Sequence, residues 1–122
     1  MAVNKQITLA ANKQICWYLT AQADRIQSVK ISSSTKGVVL DTSLLSKNLS
    51  NFSVGSFQTG ARDEDYTITF GSATDVRDAR AIITNPAATV NNVVAYVFAI
   101  EDGDDRDYND LYLSITQYAV AG

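Results

Sequence analysis

Apolar and polar positions alternate along most of this chain. Ile15, Trp17 and Leu19 interleave with Cys16, Tyr18 and Thr20, the period of two that puts one face of a strand inside and the other out. Tyr66-Thr67-Ile68-Thr69-Phe70 repeats the pattern, as do Leu111, Leu113 and Ile115 against Tyr112, Ser114 and Thr116. Shorter stretches read the same way: Ile7-Thr8-Leu9, the run begun by Ile26, Val29 and Ile31, Val38-Val39-Leu40, the surroundings of Phe52, Val54 and Phe57, and Ala79 to Thr84. Val93 to Ile100 is rich in β-branched and aromatic residues, which fit a pleated surface.

Turn chemistry separates these runs. Ala10 to Lys13, Ala21 to Arg25, Gly60 to Asp65 and Gly71 to Asp78 break the alternation. Ser32 to Gly37 reads as a turn with Gly37 supplying a positive φ, and Asn85-Pro86 stops the strand before it. Asp41 to Ser50 reads as a loop anchored by Leu44 and Leu45. No stretch has a useful helical period and none repeats. About nine short strands with turn signals between them predict an all-β, antiparallel sandwich or barrel.

Length and composition narrow the picture. A chain of 122 residues is expected to form a single domain, 1–122, with its own core. No apolar run approaches membrane-spanning length, so no membrane insertion is expected. Met1 to Lys13 lacks the apolar centre of a secretory signal, which points to a cytoplasmic product, with export to the cell surface or medium by another route left open. A net charge of −3 with scattered basic residues argues against nucleic acid. With no histidine and a single cysteine, zinc is a poor fit, and Cys16 has no base to activate it. Trp17, held in strand alternation, is expected in the core or an interface rather than as a sugar-stacking platform. Arg77, Asp78 and Arg80 read as a solvated loop face.

One segment does not fit ordinary surface chemistry. Glu101-Asp102-Gly103-Asp104-Asp105-Arg106-Asp107-Tyr108-Asn109-Asp110 holds close to half of the chain's 13 acidic residues. Carboxylates this dense repel one another, and ordering them is costly unless positive charge arrives from outside. Arg106 alone cannot supply it. Oxygen donors at adjacent and alternating positions suit Ca²⁺, which takes six to eight oxygens in flexible geometry, better than Mg²⁺, which demands an octahedron. A single Ca²⁺ would leave a large negative surplus, so two ions sharing carboxylates is the natural count. An EF-hand is excluded: counted from Asp105, its glycine and closing glutamate positions hold Asp110 and Thr116. The segment instead joins two strands at one end of a β domain.

The acidic run, the strand after it and the end at Gly122 resemble the LecB-like family of calcium-mediated bacterial lectins, which bind fucose and mannose. Ile7 to Asn12 and Ala81 to Asn85 match that family more loosely. The resemblance implies an antiparallel β-sandwich of about nine strands and a non-enzymatic, calcium-dependent carbohydrate-binding protein. It places Glu101, Asp105, Asp107 and Asp110 on one calcium, and Asp107, Asn109 and Asp110 on the second, with Asp107 and Asp110 bridging. Gln22 falls where the family supplies a backbone carbonyl. The carboxylate of Gly122 reaches the calcium of a partner subunit in the family, so a homodimer or homotetramer is implied. Asp102 and Asp104 match sugar-contacting positions, and the ligands Asp105, Asp107, Asn109, Asp110 and Gly122 also face the sugar. Tyr108, set between ligands, is expected to point into packing.

Ala23-Asp24-Arg25 occupies the family's specificity loop. Ala23 resembles members that prefer mannose, and Asp24 can accept hydroxyl hydrogen bonds. Arg25 stands where the family has a small residue. It either pairs with Asp24 or the acidic segment, contacts a larger glycan, or crowds the sugar out.

Two other readings compete. In one, calcium only stiffens a structural or adhesion module, and calcium raises the melting temperature without any glycan ligand. In the other, paired carboxylates hydrolyse glycosides, although metal-bound acids donate protons poorly and so short a chain shows no cleft-forming insertion.

Overall fold

A computed structural model describes residues 3–47, 50–71, 78–84, 93–101 and 110–119, with backbone alone over 78–84. The strands in chain order are β1 (Val3–Leu9), β2 (Lys13–Thr20), β3 (Gln27–Ser33), β4 (Gly37–Leu44), β5 (Phe52–Gln58), β6 (Glu64–Phe70), β7 (Asp78–Thr84), β8 (Val94–Glu101) and β9 (Leu111–Ala119). Among the described residues they form a four-stranded sheet, β1-β6-β3-β4, and a five-stranded sheet, β5-β2-β9-β8-β7. All pairings are antiparallel. The expected all-β sandwich is the observed architecture. No helix among the described residues is long and apolar enough to cross a membrane.

The alternation read from the sequence explains the core. Ile15 and Leu19 of β2, Phe98 and Ile100 of β8, and Leu111, Leu113 and Ile115 of β9 point inward from the five-stranded sheet. They meet Ile7 and Leu9 of β1, Val29 and Ile31 of β3, and Tyr66, Ile68 and Phe70 of β6 in one buried cluster. Two ring contacts cross between the sheets, Phe70 to Phe98 at 5.6 Å and Phe57 to Tyr66 at 5.7 Å between centroids. Such pairs contribute about 0.5–1.5 kcal/mol each beyond the area they bury. Trp17 packs against this cluster from β2, in the core role expected of it.

Turn residues behave as their chemistry dictates. Gly37 ends the β3–β4 turn with φ 70°, and Asn12 takes φ 55° between β1 and β2, a region that Asn tolerates better than most side chains.

The structure corrects several boundaries. β4 runs on through Asp41, Thr42 and Ser43 to Leu44, where a loop was expected. The reason is backbone pairing: Gln27 to Lys30 ladder against Leu44 to Asp41 whatever side chains are present. Leu44 does pack against the core, but Leu45 is exposed. Ile26 is exposed just ahead of β3 rather than inside it. β1 begins at Val3, before the first clear alternation. Of the expected turn from Gly71 to Asp78, residues 72–77 lie outside the described ones, and Asp78 already opens β7. The Asn85-Pro86 stop and the Tyr108 side chain lie outside them too, as do the side chains of Asp78 and Arg80.

Candidate functional site

The acidic segment connects β8 to β9, as the sequence predicts. The ladder between these strands reaches Ile100 opposite Leu111, so Glu101 and Asp110 face each other at the mouth of the hairpin. The Asp110 backbone N–H donates to the Ile100 carbonyl at 3.2 Å and closes that mouth. Both acids are buried, Glu101 at 1% and Asp110 at 8% exposure. Neighbouring strands end at the same level. β7 begins there, with Asp78 paired to Glu101. On the other side Thr20 of β2 pairs with Tyr112, and that register extended by two residues sets Gln22 level with Asp110.

Gln22 therefore arrives at the site although it lies far away in sequence. Its side-chain oxygen is buried and accepts no hydrogen bond among the described residues. Two buried carboxylates beside a buried amide oxygen make an all-oxygen, hard donor set. Burying carboxylates side by side is costly without compensating positive charge. These residues fit a calcium ion, which prefers oxygen donors and tolerates irregular geometry. Gln22 was expected to act through its backbone; its side chain offers a further acceptor. Among the described residues no three His, Cys, Asp or Glu cluster together. The predicted residues Asp102, Asp104, Asp105, Asp107, Asn109 and Gly122 lie outside the described ones.

The loop carrying Ala23, Asp24 and Arg25 crosses from β2 to β3 at this same end of the sandwich. It is fastened by the β4–β5 connection. Ala23 donates its backbone N–H to the Ser46 carbonyl at 3.1 Å, and the Thr20 hydroxyl donates to the Asn51 carbonyl at 2.9 Å. Asn51 holds its own loop closed, donating from its backbone N–H to Ser46 Oγ at 2.9 Å and from its amide to the Leu45 carbonyl at 2.8 Å. Ser46 is fully buried. Neither Ser46 nor Asn51 was legible as a site residue, because their roles depend on contacts between distant parts of the chain.

Asp24 pairs with Lys47 at 3.4 Å. Both side chains are well exposed, so solvent screens the pair and it adds little stability. Arg25 is exposed; its backbone carbonyl accepts a hydrogen bond from the Gln27 amide at 3.3 Å. Among the described residues the Asp24 carboxylate is held by Lys47 rather than by Arg25, which leaves the guanidinium facing solvent beside the acidic end.

Comparison with known proteins bears on the family and the fold. The family model for fucose-binding lectin II (PA-IIL) matches residues 7–119. No curated protein matches the chain significantly in sequence. Among solved structures, the Chromobacterium violaceum lectin CV2L in complex with α-methyl-fucoside aligns with a TM-score of 0.73 at 20% identity, over 95% of this chain and 96% of its own. The Ralstonia solanacearum high-affinity mannose-binding lectin aligns equally well, TM-score 0.73 at 18% identity, with the same coverage. The C-terminal domain of the Burkholderia cenocepacia lectin BC2L-C gives 0.71 at 13% identity, over 99% of this chain and all of that domain.

Proposed function

This chain belongs to the fucose-binding lectin II (PA-IIL) family, and on that premise we propose that it is a non-enzymatic lectin binding mannose- or fucose-type sugars through two calcium ions. The observation that carries the reading is the burial of Glu101 and Asp110 at the mouth of the β8–β9 hairpin, level with the unpartnered side-chain oxygen of Gln22. Bound calcium supplies open coordination positions that vicinal sugar hydroxyls fill in place of water.

The chain's own residues do the rest. Glu101, Asp105, Asp107 and Asp110 would hold one ion, and Asp107, Asn109 and Asp110 the other, with Gln22 adding an oxygen from the neighbouring loop. Carboxylates not saturated by metal accept the sugar's hydroxyl protons in charge-assisted hydrogen bonds and so orient the diol. Asp102, Asp104, Ala23 and Asp24 line the sugar's edge. The pinned 21–26 loop is pre-organised for this task, which reduces the ordering cost of binding. Arg25 extends the surface toward larger glycans.

Chain topology bears on Gly122. β9 leaves the site at Leu111 and ends at Ala119, at the opposite end of the sandwich. At about 3.3 Å per residue that is roughly 26 Å of travel. Three more residues span at most about 10 Å. That separation supports the reading in which Gly122 serves a metal site of a partner copy rather than of its own chain.

A glycan array probed in calcium and again after EDTA tests the reading. Binding to mannose- or fucose-bearing glycans that disappears with chelator is the expected result. Confirmed calcium binding with no glycan bound at all would instead favour a calcium-stiffened structural or adhesion module.

A further inference from the structure

Three connections meet at the end of the sandwich opposite the acidic hairpin, and hydrogen bonds tie them together. Thr59, just after β5, accepts the Lys13 backbone N–H at 2.8 Å and donates its hydroxyl to the Ala10 carbonyl at 2.7 Å. The Gly60 carbonyl accepts the Asn12 N–H at 2.9 Å, and Asp63 Oδ1 accepts the Ala11 N–H at 2.8 Å. Glu64 accepts the hydroxyls of Ser34 and Thr35. The β5–β6 connection is thus fastened to the β1–β2 turn on one side and to the β3–β4 turn on the other. Between it and the β3–β4 turn opens a cleft of about 440 Å³, lined by Thr35, Lys36, Gly60, Arg62, Asp63 and Glu64. That volume falls in the range of small-molecule sites, roughly 300–1,000 Å³.

The charges in this cleft are unequally engaged. Glu64 is bonded through both carboxylate oxygens, and Asp63 through one. Lys36, from one wall, and Arg62, from the other, are exposed, and among the described residues neither pairs with a carboxylate. The Lys36 stem leans across the cleft, its Cδ 4.0 Å from where a side chain on Gly60 would begin.

We propose that this cleft binds a sugar acid: a hydroxylated ring bearing one carboxylate, as in a hexuronate unit. Lys36 and Arg62 take the carboxylate, Arg62 through the paired N–H donors of its guanidinium. The second oxygen of Asp63 accepts a ring hydroxyl, and the stems of Lys36 and Arg62 cover the ring's apolar face. A bare anion suits the cleft less well. Asp63 and Glu64 offset the two cations, and such an anion has no proton to give them. A neutral sugar leaves both cations unused. The fastened walls reduce the ordering cost of binding. β3, seven residues long, separates this cleft from the 21–26 loop, roughly 20 Å away. The proposal therefore needs no calcium and does not rest on the lectin reading.

Titrating glucuronate into the isotope-labelled full-length chain in EDTA, followed by amide chemical shifts, tests the proposal. Saturable shifts are expected at residues 34–37 and 60–64, with the hairpin amides of 101–110 unmoved. Lys36→Ala and Arg62→Gln should each weaken binding about tenfold, and their otherwise unchanged spectra show that the fold is kept. Methyl glucoside, which lacks the carboxylate, should shift nothing. No saturable shift, shifts centred on the hairpin, or binding unchanged in both variants overturns the site. Inorganic phosphate bound as tightly as glucuronate overturns the sugar-acid assignment, because the hydroxyls would then contribute nothing. The titration is run without calcium, so its failure leaves the lectin reading standing. Loss of calcium-dependent binding on the glycan array likewise leaves this site standing.

Discussion

Glu101 and Asp110 face each other across the mouth of the β8–β9 hairpin, and both are buried. Two carboxylates brought this close inside a fold favour any state that adds positive charge between them. Calcium is therefore expected to stabilise the native state. At a free concentration near 100 times Kd the gain is about 2.7 kcal/mol, which for a domain of this size raises the unfolding midpoint on the order of 10 °C. Scanning fluorimetry in calcium and in EDTA measures it. Asp110→Asn should abolish most of the difference.

Gly55 pairs with Trp17 across β2 and β5, and the indole fills the space a side chain at Gly55 would need. A Cβ there would overlap the ring, so Gly55→Ala forces Trp17 off its seat against the core. The expected cost is about 1–3 kcal/mol, the usual range for overpacking. Urea unfolding reads it as a lower midpoint at unchanged slope. An unaltered midpoint would show that the indole moves aside freely.

Arg25 reaches solvent beside the acidic end while Lys47 holds Asp24. Shortening Arg25 to Gly removes a long cation without touching the hydrogen bonds that pin the loop. Arg25→Gly should leave calcium-induced stabilisation intact and change glycan preference, with monosaccharides gaining relative to extended glycans. Competition by methyl-mannoside on a bound oligosaccharide measures the ratio. An identical preference in the variant would take Arg25 out of the binding surface.

Glu64 opens β6 at the far end of the sandwich. Its carboxylate accepts hydrogen bonds from the Thr35 hydroxyl at 2.6 Å and the Thr35 backbone N–H at 3.1 Å, and from the Ser34 hydroxyl at 3.1 Å. Hydrogen bonding by Thr35, then Ser33, holds its pKa below the ordinary glutamate value of 4.5. A group whose folded pKa is depressed contributes stability above its unfolded pKa and loses it as the pH falls through the folded value. Glu64→Gln should therefore be less stable than wild type at neutral pH. The difference should shrink as the pH drops below about 4.5 and vanish once Glu64 is protonated in both states. Thermal unfolding between pH 7 and pH 3 follows it.

The strands with clean alternation were legible because burial chose their residues. Ile15 and Leu19, or Tyr66, Ile68 and Phe70, are apolar where they face the other sheet. β4 was legible only in its first half, since Asp41 and Ser43 face water and are held by backbone pairing to β3 alone. β5 hid its orientation. Phe52 and Val54 look like core residues in sequence, yet the inward positions belong to Ser53, Gly55 and Phe57. Only the partner strand, with Trp17 opposite Gly55, explains why. The acidic hairpin announced itself through charge density, whereas Gln22 comes level with it only through the pairing of β2 with β9, and Ser46 and Asn51 pin the neighbouring loop through hydrogen bonds between distant parts of the chain. Buried polar anchors were equally silent: Gln117 accepts the Ala10 backbone N–H at 2.9 Å, and Thr59 binds both Ala10 and Lys13.

The central claim is that sugar binding requires calcium held by this hairpin. Calorimetric titration of methyl-α-fucoside and methyl-α-mannoside into calcium-loaded protein, repeated after EDTA, tests it most directly. Saturable binding of at least one sugar in calcium, absent after chelation and restored by added calcium, is the predicted result. Equal affinity with and without calcium would contradict the account, because the diol would then be held by groups other than the metal site.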